Sequence, residues 1–467
     1  MRRFAFPVFC TLLLAACEVG PDYQRPDVAA PGSFKEAGDW QKAEPADAID
    51  RGAWWSVYND PILDALEKQI DISNQNLKSA EAAYRAAVAT ADQTRATLFP
   101  TVGVSTSAIR NGTGQSHTPA VTNYGLSTSA SWTADVWGAI RRQVENSEAN
   151  AEVSEADLAS ARLSAQGQLA TDYFDLRLQD ELTRMLNEST EADRKILTIT
   201  QNQYKVGLAA QADVLAAQTQ LESVQAQAIN AGVARAQLEH AIAVLIGRAP
   251  AEFSLTPETG KTFHIPNIPA EMPSLLLERR PDVAASERSV MAANAEIGVT
   301  EGAYFPDITL SASFGYASTV LSKLISTSAS VWSFGPTVAE TIFDAGAREA
   351  QVENARALYD ESVANYRQTT LTAFQQVEDD LASLHILGDQ AKVSDSAVVD
   401  ARKSEKLTLN QYKEGIVPFN NVLTAETTRL ADEQTALSVQ KTRLESSIAL
   451  IQALGGGWDT SQLHTDN

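Results

Sequence analysis

Apolar residues recur every seven positions in two parts of the chain. Val144, Ala151, Leu158 and Ala165 form one row, and Leu423, Leu430, Leu437, Leu444 and Ile451 form another. A 3.5-residue spacing keeps one seam turned toward a partner helix and imposes a left-handed supercoil, so both stretches predict coiled-coil helices. The same stripe also suits an ordinary bundle. Proline is absent from Ala120 to Ala249 and from Thr337 to Val417, as expected of helix interiors, where the ring removes a donor and clashes with the preceding turn. The spans Gly138–Gly207 and Gly346–Gly415 predict helical rods of about 105 Å at about 1.5 Å per residue. No isolated globular domain needs helices of that length.

A second period, of two, appears between these rods. Tyr124, Leu126, Thr128, Ala130 and Trp132 alternate with Gly125, Ser127, Ser129, Ser131 and Thr133. Ile308, Leu310, Ala312 and Phe314 alternate with Thr309, Ser311, Ser313 and Gly315, and Val102, Val104 and Thr106 with Gly103, Ser105 and Ser107. Trp332 and Phe334 open a fourth, less regular strand that contains Pro336. An apolar face opposite a small, hydroxylated one fits a membrane-spanning β-strand, and equally a half-buried strand of a soluble sheet. Four strands cannot close a barrel in lipid, where open edges leave backbone groups unpaired. If they span, several chains share one barrel.

The two halves repeat. Gln143-Val144-Glu145-Asn146 returns as Gln351-Val352-Glu353-Asn354, and Asn202-Gln203-Tyr204-Lys205-Val206-Gly207 as Asn410-Gln411-Tyr412-Lys413-Glu414-Gly415, both displaced by 208. Val214-Leu215 and Val422-Leu423 keep that displacement, whereas Phe99-Pro100 and Phe305-Pro306 are displaced by 206. One inserted residue turns every later helical side chain by about 100°, so the constant stretch reads as helix. The slip of two falls where strands and a hairpin can absorb it. The period far exceeds that of solenoid repeats, so each half is a folded unit.

The N-terminus carries chemistry of its own. Arg2 and Arg3 precede an apolar run from Phe4 to Leu14, too short for a spanning helix and typical of a signal peptide. Leu14-Ala15-Ala16-Cys17 resembles the bacterial lipobox, which implies cleavage before Cys17 and lipidation of that cysteine; the alternative is an ordinary signal peptide with a chance cysteine. Glu18 at the next position, by resemblance to lipoprotein sorting signals, points to the outer membrane. Cys10 and Cys17 are the two cysteines of the 467 residues, so the mature chain forms no internal disulfide. With 59 acidic against 37 basic residues, the net charge of −22 argues against nucleic acid as a partner. His117, His240, His264, His385 and His464 lack metal-ligand spacing, and no phosphate-binding glycine loop precedes a lysine. Neither an enzyme nor a cofactor is expected, apart from the lipid on Cys17.

Several motifs, in order, resemble one family. Val19-Gly20-Pro21-Asp22-Tyr23 follows the lipobox cysteine, and Leu277-Glu278-Arg279-Arg280-Pro281-Asp282-Val283 opens the second half. Phe305-Pro306-Asp307-Ile308, Phe343-Asp344-Ala345-Gly346, the two Tyr-Lys-x-Gly turns and Gly455-Gly456-Gly457-Trp458 complete the set. Together they resemble the outer-membrane factors of tripartite efflux pumps, the TolC-like channels, in their NodT-type lipoprotein branch. The resemblance covers essentially the whole chain.

It implies a mainly α fold with a transmembrane β-barrel. Three subunits would each give four strands to a twelve-stranded barrel above a long α-helical coiled-coil periplasmic barrel with a mixed equatorial domain. The expected organisation is a signal peptide over 1–16, a lipidated segment over 17–59 and a first repeat over 60–255, with strands at about 101–136. A linker over 256–280, a second repeat over 281–454 with strands at about 307–342, and a C-terminal equatorial tail over 455–467 complete it. The implied partners are two further copies of the chain, a periplasmic adaptor, an inner-membrane transporter and outer-membrane lipid. The implied function is an exit duct for small molecules. A protein-secretion channel, or a lipid-anchored coiled-coil scaffold, are the alternatives.

In the family, the helix turn after the Tyr-x-x-Gly motif carries two aspartates three residues apart, which form carboxylate rings at a periplasmic aperture. Position by position, this chain supplies Tyr412, Asn421 and Thr424 in its second half, and Tyr204, Asp213 and Ala216 in its first. The family carboxylates are therefore absent from the second half. Tyr412 and Asn421 are expected to help form the constriction, and Pro418 to stiffen the turn.

Overall fold

The computed structural model describes residues 18–37, 53–112, 120–261, 263–266, 268 and 279–458. The leader and Cys17 lie outside them. The described helices and strands, in order, are α1 (Pro61–Ser73), α2 (Gln75–Arg95), β1 (Thr101–Asn111), β2 (Val121–Thr133), α3 (Ala139–Lys205) and α4 (Gln211–Leu245). They continue with α5 (Pro281–Gly302), β3 (Asp307–Ser318), β4 (Ser330–Ala339), α6 (Ala347–Lys413) and α7 (Phe419–Ala453). The long helices obey the repeat. Both α3 and α6 have 67 residues, both α4 and α7 have 35, and each member of a pair is displaced by 208 from the other.

The turns are repeated as faithfully as the helices. Leu208 N–H donates to Gln203 C=O at 2.9 Å and Gly207 N–H to Tyr204 C=O at 3.0 Å; Ile416 donates to Gln411 at 2.9 Å and Gly415 to Tyr412 at 3.0 Å. This pair of bonds closes a helix only if the next residue is left-handed. Gly207 and Gly415, at φ 78° and 73°, supply that conformation without a Cβ penalty.

The chain divides into two compact units, each drawing on both halves of the repeat. One comprises Met1–Val28, Ala82–Glu155 and Ala285–Gln368 and contains the strands. They form one antiparallel sheet in the order β1-β2-β3-β4. Below the strands, Trp137 stacks on Phe305 with ring centroids 5.0 Å apart, and its indole N–H donates to Pro306 C=O at 2.9 Å. Arg142 is buried and holds the segment after residue 17, donating to Val19 C=O at 3.1 Å and pairing with Asp22 at 2.9 Å. Gly20 approaches Gly298 so closely that a Cβ on it would lie 2.4 Å from the Gly298 Cα.

The other unit comprises Ala29–Glu81, Ala156–Ala284 and Thr369–Asn467. Its main core joins Trp54, Trp55, Leu63 and Ile70 to Leu169, Tyr173 and Leu176 of α3, Val377 and Leu381 of α6, and Ile448 and Ile451 of α7. Asp60 caps α1, accepting from Ile62 N–H at 3.0 Å, and also receives the Tyr173 hydroxyl at 2.7 Å and Lys261 at 2.8 Å. A buried polar hub pins the segment after α4. Asp180 pairs with Arg235 at 2.6 Å and accepts from Glu258 N–H at 3.1 Å, and Arg177 donates to Thr256 C=O at 2.8 Å.

Candidate functional site: a two-faced sheet and two hairpin tips

The register decides which side chains share a face. Thr106 pairs with Leu126, Leu126 with Tyr316, and Ala130 with Ala312, which lies opposite Phe334. Since directly opposed residues point the same way, one face carries Val102, Val104, Leu126, Trp132, Leu310, Phe314, Trp332, Phe334 and Val338. Several of these are open to the surroundings, Val104 at 72% and Trp332 at 77%. A monomeric soluble protein rarely leaves such a patch bare. Along β2 the patch runs from Trp132 at the helix end to Tyr124 at the loop end, about 27 Å of strand at about 3.4 Å per residue. That is close to the apolar band of an outer-membrane barrel with aromatic residues at both borders.

Serine, threonine and glycine dominate the opposite face. Ser105 meets Ser127 at 2.9 Å, and Ser313 meets Ser333 at 2.8 Å. Such short polar side chains hydrogen-bond locally and leave room for water. The outer strands, β1 and β4, each have one neighbour, so each presents a free row of backbone donors and acceptors. In lipid that row has to be paired. Pro336, which lacks a donor, sits on one of these outer strands. No helix among the described residues is long and apolar enough to cross a membrane.

The second candidate region is the pair of hairpin turns α3–α4 and α6–α7. Tyr412 is 5% exposed, packed with Ile196, Leu197, Ala217, Leu221, Phe419 and Val422. Its hydroxyl donates to Thr200 at 3.2 Å, and burial pushes its pKa up. Within the single subunit Tyr412 is therefore a packing residue that joins α6 to α3. Tyr204, its repeat counterpart, is 46% exposed. Asn421 and Thr424 are both exposed, and the Thr424 hydroxyl bonds back to Asn420 C=O at 2.9 Å. The structure thus brings Tyr412 and Asn421 to the same turn but on different faces.

The two turns differ in one contact. Asp213 accepts from Ala210 N–H at 3.0 Å and so satisfies a free donor at the start of α4. The residue equivalent to Ala210 is Pro418, which has no N–H. A side chain at 421 has no such donor to serve, which leaves Asn421 free to face solvent. Exposed apolar residues crown both turns, Leu208 at 79% and Ile416 at 70%; the repeated Tyr-Lys-x-Gly motif was the only sequence signal marking them.

A third feature left no periodic trace. Asp193 of α3 is 2% exposed, and neither of its carboxylate oxygens has a hydrogen-bond partner among the described residues. Arg429 of α7 lies beside it but is engaged with Glu405 at 2.9 Å, Glu433 at 2.6 Å and Ser189 at 3.1 Å. Burial raises the Asp193 pKa to about 6, opposed by the nearby Arg429 charge and assisted by Glu405.

Comparison with known proteins decides the class. The sequence profile of the outer membrane efflux proteins matches residues 66–248 and 272–456. The chain belongs to the outer membrane efflux protein family. It is 29% identical to the solvent efflux pump outer membrane protein SrpC of Pseudomonas putida, over 99% of this chain and 100% of that one. It is 26% identical to the cation efflux system protein CusC of Escherichia coli K12, over 96% and 98%. Among solved structures, it matches the outer-membrane channel OprN with a TM-score of 0.88 at 28% identity, covering 95% of this chain and 100% of that one. The open state of the Neisseria gonorrhoeae MtrE outer-membrane channel matches at 0.85 and 27%, covering 96% and 100%. This efflux protein is thus an outer-membrane channel component. Its relatives are transport channels.

Proposed function

We propose that three copies of this efflux protein form the exit duct of a tripartite pump and pass small molecules to the cell exterior. The observation that carries the reading is the four-stranded sheet with an apolar face and two unpaired outer strands. Joining β4 of one subunit to β1 of the next pairs every edge and gives twelve strands, enough for a closed barrel with a water-filled interior. Energy and solute selection come from an inner-membrane transporter, reached through a periplasmic adaptor, and the chain itself catalyses no reaction. The names of the relatives, a solvent efflux pump and a cation efflux system, span chemically different cargoes, which fits a duct that selects weakly. The lipid on Cys17 is the one covalent addition this reading needs, and no cofactor enters it.

At the periplasmic aperture, Asn421, Thr424 and Tyr204 supply exposed polar groups and Asp213 a half-buried one, while Tyr412 holds the turn from behind. Purified full-length protein tests the whole reading. Unheated, it should migrate as a trimer that collapses to monomers on boiling, and in planar bilayers it should conduct. A monomer recovered from the soluble periplasm would defeat the proposal. For the aperture, Asn421→Asp should introduce block by divalent cations that the parent channel lacks, because three carboxylates then face one another. Unaltered conductance and block would remove Asn421 from the aperture.

A further inference from the structure

The hydroxylated face of the sheet has an unusual electrical composition. From the register, it comprises the odd-numbered residues of all four strands, from Thr101 to Asn111, Val121 to Thr133, Asp307 to Ala317 and Val331 to Ala339. Among these, Asp307 is the only ionisable residue. It is exposed, pairs across the sheet with Ala339, and sits where β3 emerges from the segment after α5. Two acids flanking the same end of the sheet are paired, Asp135 with Arg141 at 3.1 Å and Asp344 with Arg348 at 2.6 Å. Glu340 lies one residue past β4, with the parity of the apolar face. The Asp307 carboxylate has no ion-pair partner among the described residues.

We propose that Asp307 sets the charge bias of the duct, favouring cations over anions, as the single fixed charge per subunit on the strand-lined section of the pore. The inference rests on the trimeric-barrel reading above, which places the hydroxylated face around water. Serine, threonine and glycine rows offer hydrogen bonds to any solute but no net field. The three Asp307 carboxylates at the helix-proximal mouth are then the fixed charges of the strand-lined wall, concentrating cations and depleting anions there. Walls of low dielectric focus that field along the bore.

Cysteine modification reads the potential directly and does not depend on whether the aperture is open. Ser311→Cys places a thiol on the same face four residues from Asp307, about 13 Å along the strand. Purified trimers in lipid are treated with cationic and anionic methanethiosulfonate reagents of matched size, with the parent protein, whose Cys17 is lipidated, as the background control. At about 10 mM salt, where the Debye length is about 30 Å, the cation-to-anion rate ratio should fall about threefold or more when Asp307→Asn is added. At about 1 M salt, where it is about 3 Å, the two backgrounds should agree. Glu340→Asn should leave the ratio near that of the parent. Equal ratios with and without Asp307 at low salt would overturn the inference while leaving the barrel intact. A thiol at 311 that resists both reagents while one at 310 reacts would instead overturn the barrel reading. Ser131→Cys, directly opposite Ser311 in the register, repeats the measurement if the first variant assembles poorly.

Discussion

At the scale of single residues, the most consequential group is an acid that the helices bury without a hydrogen bond. Asp193 has its pKa raised to about 6 from 3.8, chiefly by desolvation. A raised carboxyl favours the protonated folded state, so its contribution to stability is complete below about pH 4. It is lost as pH rises through about 6. Asp193→Asn should therefore flatten the pH dependence of unfolding between those limits. It should also stabilise the protein at pH 7 by up to about 3 kcal/mol, on the usual conversion of 1.36 kcal/mol per pKa unit. Denaturant unfolding of the variant and the parent at several pH values checks this, and an unchanged slope would show that Asp193 is solvated. Tyr412→Phe is milder, since the ring stays packed and only the bond to Thr200 is lost. Thermal unfolding should report a cost of about 0.5–1.5 kcal/mol. At the turns, Asp213→Ala removes a cap and should cost about 1 kcal/mol. Asn421→Ala should cost almost nothing, because Pro418 offers no donor to cap. Amide exchange at the first turns of α4 and α7 separates the two outcomes.

At the scale of elements, the chain is unusually readable where a repeat constrains it. Proline-free stretches bounded by Gly138 and Gly207, and by Gly346 and Gly415, enclose helices that run Ala139–Lys205 and Ala347–Lys413. A constant displacement is sensitive to every insertion, and left-handed glycines, Gly207 and Gly415, mark the two hairpin turns. The strands were legible for a related reason, since alternation survives wherever one face meets lipid and the other water. What periodicity could not deliver is which helix each side chain meets. Tyr412 and Tyr204 occupy equivalent positions in the sequence, yet one is buried against α3 and the other is open, because the hairpins pack through different neighbours. The hub around Asp180 was equally silent, being assembled from residues distant in sequence with no shared spacing. The repeated glycines give a graded test of the turns. Nothing lies within 4 Å of a Cβ built on Gly207 or Gly415, whereas one on Gly455 would lie 2.1 Å from the Arg279 carbonyl oxygen. Ala at 207 or 415 should thus cost only the left-handed backbone penalty, about 1–2 kcal/mol. Ala at 455 should cost clearly more, since backbone must move as well. Comparable melting shifts for all three would contradict that ordering.

At the scale of the whole molecule, assembly depends on which face of the sheet meets hydrocarbon. Neighbouring positions on β1 make the comparison internal, because Val104 and Ser105 differ by one residue and point to opposite sides. A cation at 104 would enter lipid in each of three subunits. Barrel measurements place that cost at about 2–4 kcal/mol for each arginine near the membrane midplane. Across a trimer, that approaches the entire stability of a typical domain, about 5–15 kcal/mol. Arginine at 105 would instead stand in water beside Ser127 and cost little, while adding positive charge to the bore. Val104→Arg should therefore abolish the heat-modifiable trimer in outer-membrane fractions. Ser105→Arg should preserve the trimer and lower its preference for cations. The reverse pattern would mean that the hydroxylated face lies against lipid, and equal tolerance at both positions would mean that the sheet never enters the membrane. Because side-chain direction has a period of two, no shift of register by one strand position could satisfy both results.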